Sequence, residues 1–291
     1  MGNRSYGTLL MGSIRDYLGL MQYKIVALLV MSAIAGFAIA YAGAPGALQA
    51  ILLLAIAITA SSAGGELLNK ILEIDLDRQM KRTSRRASVT GRVDARIAVA
   101  YGLSLAALGV IAAYAIDMLA AVMVLLGLVF YIIVYTLLLK RRSRLNIVIG
   151  GLAGSFCVWA GVAAASGTVT LPGFLLGLVV LFWIPGHIWS FAMKYRSDYH
   201  GAGVPMLTAV AKARNGALAI ALFNIAMALV SLSLVLFLGI YYAAIIAIPM
   251  AIVLYLSAKT IMEDKAAWTL FKFSSVYLAF VFIGILVAVL V

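Results

Sequence analysis

A chain of 291 residues that is 65% hydrophobic and 11% charged, with a mean hydropathy of +1.12, has more apolar surface than a water-soluble domain of its size can hide, which excludes the ordinary soluble enzymes and binding modules. The net charge of +12 would suit a nucleic-acid binder. Its basic residues flank apolar runs, however, so membrane lipid and an anionic substrate account for the charge and nucleic acid is not expected as a partner. A single cysteine cannot form an internal disulfide, so cysteine usage does not report the redox compartment.

Residues 1–24 carry Arg4, Arg15, Asp16 and Lys24 and lack the charged-then-apolar order of a cleaved leader, so the first apolar run reads as the first span. Runs of spanning length then follow at 25–42, 46–62, 97–116, 118–139, 147–166, 174–193, 218–240, 241–258 and 273–291. They predict about nine helices of about 20 residues, each long enough for a hydrocarbon core of ~30 Å. Continuous apolar runs without alternation exclude a β-barrel. The expected fold class is an all-α integral membrane protein, with one domain over 1–291. Spans seven and eight meet at 240/241 with almost no loop.

All 22 Lys and Arg fall in breaks on one side. Arg4, Arg15 and Lys24 precede the first span, a run from Lys70 to Arg96 follows the second, and Lys140, Arg141, Arg142 and Arg144 follow the fourth. Lys194, Arg196, Lys212 and Arg214 come after the sixth, and Lys259, Lys265 and Lys272 after the eighth. The opposite side carries Asp117 and no basic residue. The positive-inside bias makes this a multi-pass protein of the cell membrane with its N-terminus and polar loops in the cytoplasm.

Two of these breaks carry chemistry. In the first, Asn69, Glu73 and Asp77 step by four residues and share one face of a helix. Stacked like charges repel unless a cation sits between them, and oxygen ligands on one face suit Mg²⁺ completed by water and substrate phosphate. Lys81, Arg82 and Arg86 follow within reach of a diphosphate, which Arg grips in a bidentate fork. The alternative is a solvated charged loop. Asp75, half a turn away, reads as solvated or structural, and Lys70 and Arg78 read equally well as snorkelling residues at the lipid surface. In the second break, a helix running on through Asp198 would align His187, Lys194 and Asp198, before Gly201, Gly203 and Pro205 end it. His187 reads equally as a histidine bonded to a neighbouring helix, and His200 reads as structural.

These segments resemble the UbiA-type intramembrane prenyltransferases, and within them the protoheme IX farnesyltransferase (haem O synthase) branch. Asn69, Glu73 and Asp77, then Met80, Arg82, Thr83 and Arg86, are similar to the family's Asn-x-x-x-Asp-x-x-x-Asp and Met-x-Arg-Thr-x-x-Arg motifs. The stretches 134–141, 146–151 and 187–207 look like the haem branch. The chain departs from the pattern at Glu73 (family Asp), Ala87 (Pro) and Gln22-Tyr23 (Lys-Pro), and it lacks or halves the paired prolines near Phe156-Cys157 and at Pro185-Gly186.

The resemblance implies nine helices around a central cavity, with both polar loops over its cytoplasmic mouth. It implies Mg²⁺ bridging an isoprenoid diphosphate to Asn69, Glu73, Asp77 and Asp198, with Lys81, Arg82, Arg86, Lys194 and Arg196 adding positive charge. Ionisation would leave an allylic cation that the apolar cavity keeps dry, with Tyr131, Tyr135, Trp159 and Trp189 able to face it. The acceptor implied is protohaem IX, attacked at a vinyl group with later capture of water, and His187, Trp189 and Tyr135 would contact it. Two other lipophilic acceptors stay open, a quinone precursor and a glycerol phosphate ether lipid. A transporter is a rival class, against which the carboxylates cluster at one membrane face and not at the midplane.

Overall fold

The computed structural model describes residues 13–43 and 45–291, and Arg4 lies outside them. A short helix, α1 (Ile14–Leu20), leads into α2 (Tyr23–Ala40) and α3 (Ala47–Leu72), which a one-residue break at Glu73 separates from α4 (Ile74–Gln79). Then come α5 (Ala95–Tyr114), α6 (Met118–Leu128), a π-helix (Val129–Leu139), α7 (Asn146–Gly150) and α8 (Leu152–Ser166). The chain continues through α9 (Leu171–Lys194), α10 (Arg196–Gly201), α11 (Leu207–Val210), α12 (Ala213–Ser233), α13 (Val235–Met262) and α14 (Ala266–Leu290). Among the described residues, nine helical spans are long and apolar enough to cross a membrane, with α6 plus the π-helix and α7 plus α8 each counting as one.

Capping chemistry sets several starts. Asp94 accepts hydrogen bonds from the Arg96 and Ile97 amides at the head of α5, and Asp117 does the same for Leu119 and Ala120 at the head of α6. Asp117, the only charge expected on its side, is therefore a helix cap. Packing relies on close backbone approach: Gly161 faces the Ala33 carbonyl and Gly36 the Val158 carbonyl, leaving no room for a Cβ where α2 crosses α8. The larger core is built around Trp183 and Trp189 on α9, with Val158, Met227, Tyr242, Tyr277 and Phe282 from α8, α12, α13 and α14. Apolar side chains such as Leu103, Leu222, Leu229 and Ile248 face outward and are exposed, as a lipid-facing surface requires.

The span positions agree with the hydropathy reading, but several boundaries move. Helix α3 runs about ten residues past the expected end at 62, so Glu66, Asn69 and Lys70 lie in the helix and not in a connecting loop. Polar partners on the neighbouring helices make that burial tolerable. Helix α9 stops at Lys194, where Tyr195 leaves helical geometry (φ −105°, ψ 30°), so no continuous helix reaches Asp198. Helix α12 ends at Ser233, earlier than expected, and the chain reverses over 234–239, where Gly239 takes a left-handed φ of 71° open to glycine. Helix α14 starts at Ala266, seven residues early, and brings Trp268 and Phe271 beside α9.

Among the described residues, contacts bring basic breaks together at one end. Arg92 pairs with Asp16, Arg141 with Asp75, Lys140 with Glu73, and the Arg82 amide donates to Asp198. Each contact joins two of the segments that the charge distribution assigns to the same side.

Candidate active site

The first polar segment keeps its four-residue step across the break at Glu73. The Glu73 amide donates to the Asn69 carbonyl (3.0 Å) and the Asp77 amide to the Glu73 carbonyl (2.8 Å), so the three side chains stay on one side of the chain. Asn69, Glu73 and Asp77 are 2%, 3% and 4% exposed. An unpaired carboxylate buried this deeply would carry a desolvation penalty of several kcal/mol. Each acid is instead closed by a cation. Lys140 Nζ lies 2.5 and 2.6 Å from the two Glu73 oxygens, and Arg86 Nη1 lies 2.5 Å from Asp77 Oδ2. Burial opposes the charge on Lys140, but the Tyr135 phenol oxygen and Glu73 outweigh it and raise its pKa above the ordinary lysine value. Among the described residues no three His, Cys, Asp or Glu side chains converge closely enough to enclose a metal. Stacked carboxylates are here neutralised one by one.

Lys140 and the polar partners of α3 come from the π-helix and its C-terminal cap, whereas Arg86 comes from the loop after α4. The π-helix carbonyls bond five residues on, as in Lys140 N to Tyr135 O (2.8 Å). This widened turn brings Tyr131, Thr136 and Lys140 to one side, where they meet Glu66, Asn69 and Glu73 of α3 and its end. Tyr131 OH donates to Glu66 Oε1 (2.7 Å), Asn69 Nδ2 donates to Thr136 Oγ1 (2.9 Å), and Lys140 closes the row on Glu73. Glu66 also accepts from Gln22 Nε2 and Lys70 Nζ. Lys70 is thus buried in the protein and does not snorkel to lipid. Sequence reasoning assigns no chemistry to Glu66, Lys70, Thr136 or Lys140. The available signal was an acid and a lysine four residues apart inside an otherwise apolar helix.

The second polar segment meets the first at Asp198, whose Oδ2 accepts from the Arg82 amide at 3.4 Å. The Arg82 guanidinium lies over Phe191 (5.1 Å) and Tyr195 (5.7 Å), and Lys194 Nζ sits 3.4 Å from the Trp268 ring centre. Arg196 is committed elsewhere, donating to the Ala209 and Ala211 carbonyls (3.0 and 2.6 Å). In this arrangement it fastens the loop. Lys81 is exposed at the same end. Asp75 is a surface residue in a two-bonded pair with Arg141 (2.6 and 2.7 Å), as its position suggests. Two surface cavities, of about 750 and 350 Å³, share Lys194 and Arg196 in their linings, and neither is lined by Asn69, Glu73, Asp77 or Asp198.

The residues expected at the acceptor lie in three places. His187 holds Ser274 Oγ through Nδ1 (2.8 Å) and lies between Trp183 and Phe271, with ring centres at 4.4 and 4.3 Å. Because α9 breaks at Tyr195, His187 does not share a helix face with Asp198. Trp189 is buried edge-on against Phe223 of α12. Tyr135 stacks on Tyr131 beside the acid row (6.1 Å, 8°). Trp159 stacks on Phe174 at the opposite end of α9 and stands apart from the acids.

The donor set is chemically suited to a hard divalent cation: carboxylate and amide oxygens, with no thiolate or histidine among them. Residues 29–287 match the UbiA prenyltransferase family. A protein named protoheme IX farnesyltransferase from Sulfurisphaera tokodaii is 39% identical over 284 residues, spanning 95% of this chain and 93% of that one. The fold is similar to a solved structure of digeranylgeranylglyceryl phosphate synthase (TM-score 0.77, 21% identity, 96% and 99% of the two chains). It is also similar to a UbiA homologue from Archaeoglobus fulgidus bound to GPP and Mg²⁺ (TM-score 0.67, 16% identity, 93% and 99%). Matched over most of its length by both measures, this chain belongs to the UbiA prenyltransferase family.

Proposed function

We propose that residues 1–291 act as one transmembrane domain that transfers a farnesyl or longer prenyl group from an allylic diphosphate to protohaem IX, giving a haem O-type product. The observation that carries the donor half is the pairing of each buried motif acid with a cation, Glu73 with Lys140 from the end of the π-helix and Asp77 with Arg86 from the loop after α4. The two motif acids are thereby neutralised, and five basic side chains stand within or beside the site: Lys140, Arg86, Arg82, Lys81 and Lys194. Near-full-length identity to relatives named protoheme IX farnesyltransferase supports the acceptor half. The A. fulgidus homologue bound to GPP and Mg²⁺ supports Mg²⁺ as the metal.

Glu73 and Asp77, with Asp198 from the facing segment, would hold the metal, which supplies Lewis-acid neutralisation of the departing diphosphate. Lys140 and Arg86 turn from the acids to the diphosphate oxygens. Arg82 and Lys194 leave their aromatic rests to do the same, so the negative charge developing at the leaving oxygen meets preplaced cations. Tyr131 and Tyr135 present ring faces beside the acid row, where they stabilise an allylic cation and help exclude water. His187, oriented by Ser274, and Trp189 contact the acceptor from α9. The N-terminus and polar loops face the cytoplasm, on the strength of the charge asymmetry. Retained prenyl transfer after exhaustive chelation of divalent metal would overturn the ionisation scheme; loss on chelation and recovery with Mg²⁺ is the expected result.

A further inference from the structure

We propose that Asn69 is a positioning residue and not a metal ligand, locked by a Glu66–Lys70 pair that stays closed when donor binds. The inference rests on the prenyl-transfer reading above and deepens it. The three buried acids along α3, the break after it and α4, Glu66, Glu73 and Asp77, are matched by Lys70, Lys140 and Arg86, but the three pairs differ in kind. Lys140 reaches Glu73 from the end of the π-helix and Arg86 reaches Asp77 from the loop after α4, and the metal proposed above would replace each as its acid's partner when it turns to a diphosphate. Lys70 and Glu66 are one turn apart on the same helix, both 5% exposed. Withdrawing Lys70 would leave Glu66 buried without its cation.

The pinned ammonium donates to Glu66 Oε2 and to Asn69 Oδ1, both at 2.9 Å. The other end of the amide is equally committed. Thr136 spends its proton on the Tyr131 carbonyl (2.8 Å), so its oxygen can only accept, and Asn69 Nδ2 is the donor it accepts from. Rotating the amide by half a turn would set NH₂ against ammonium and oxygen against an oxygen with no proton to give, so the network fixes one orientation. A divalent ion on Oδ1, at about 2.1 Å, would sit no more than about 5 Å from the ammonium, a like charge in a buried site. Asn69 therefore ties α3 to the π-helix, and through it places Glu73 opposite Lys140. Ligation falls to Glu73, Asp77 and Asp198.

Full-length protein in lipid nanodiscs, titrated with Mn²⁺ in the presence of inorganic pyrophosphate and read by the EPR signal of free Mn²⁺, tests this, with Tm measured for each variant. Asp77→Asn should weaken Mn²⁺ binding by at least about tenfold, whereas Asn69→Ala and Thr136→Val should resemble each other, stay within about threefold of the parent, and both lose turnover. Asn69→Ser replaces the alanine variant should that one fail to fold. Lys70→Arg should recover most of the turnover that Lys70→Met loses. If Asn69→Ala behaves like Asp77→Asn while Thr136→Val binds Mn²⁺ and turns over like the parent, Asn69 is a ligand and the inference is overturned. If no variant loses Mn²⁺, Asp77→Asn included, the metal reading of the whole site falls and this inference falls with it.

Discussion

Asp75 and Asp77 stand two residues apart, one exposed beside Arg141 and the other buried against Arg86. The hydrogen bonds from Arg141 hold the Asp75 carboxyl below its usual pKa. A lowered carboxylate pKa adds stability above the unfolded value near pH ~3.9 that fades as pH falls through the folded one. With both partners exposed that contribution is small, so Asp75→Asn should change unfolding stability by less than about 1 kcal/mol and keep transfer. Asp77→Ala and Asp198→Ala should each nearly abolish transfer of labelled prenyl, and the double variant should be little worse than either, as the proposed shared diphosphate site requires. Normal turnover in both folded single variants would move the site elsewhere. His187→Ala should abolish or shift the Soret change on haem titration while leaving pyrophosphate binding intact. A lower Tm with an unchanged haem titration would make His187 a structural partner of Ser274 only. At this scale the motif acids were legible because their spacing alone puts them on one face. Lys70 was not, since nothing in a linear pattern tells a lysine that snorkels to lipid from one folded back onto Glu66.

The π-helix decides which side chains α3 meets. Its wider turn lets Tyr131, Thr136 and Lys140, spaced by five and four residues, face Glu66, Asn69 and Glu73 together. An α-helix advances ~100° per residue and would swing Thr136 well away from Tyr131. Deleting Leu138 should let this segment relax toward α geometry and rotate Lys140 off Glu73. Leaving that carboxylate buried and unpaired should lower stability by about 3–5 kcal/mol, read as a fall in Tm, together with loss of turnover. An unchanged Tm would show that the register is not set by this helix. Hydropathy cannot reveal such a segment, because residues 129–139 are as apolar as any α-helical span and the five-residue bonding becomes visible only through the partners it reaches. The expected end of α9 lies within one residue of Lys194, but whether the helix runs on to Asp198 was not legible, for a related reason. No proline or glycine marks Tyr195, and the chain bends there because Arg196 reaches the Ala209 and Ala211 carbonyls.

Nine apolar spans with every basic residue at one end were readable from composition and order, and the observed ion pairs join the same breaks. The proposed orientation predicts that an introduced Arg142→Cys is labelled by an impermeant thiol reagent from the cytoplasmic face and Thr168→Cys from the opposite face. The reverse pattern would invert the topology. Acceptor identity is the level least legible in the sequence, because the proposed acceptor contact His187 lies among aromatic rings of α9 and α14 and outside any charged motif. The most direct test incubates purified protein with Mg²⁺ and labelled farnesyl diphosphate against protohaem IX, a quinone precursor and a glycerol-phosphate lipid in separate reactions, with the Asp77→Ala variant as control. The account predicts label in a hydroxyalkylated haem, absent from the variant and from the other two acceptors. Label in the quinone or lipid product, with none in haem, would contradict it.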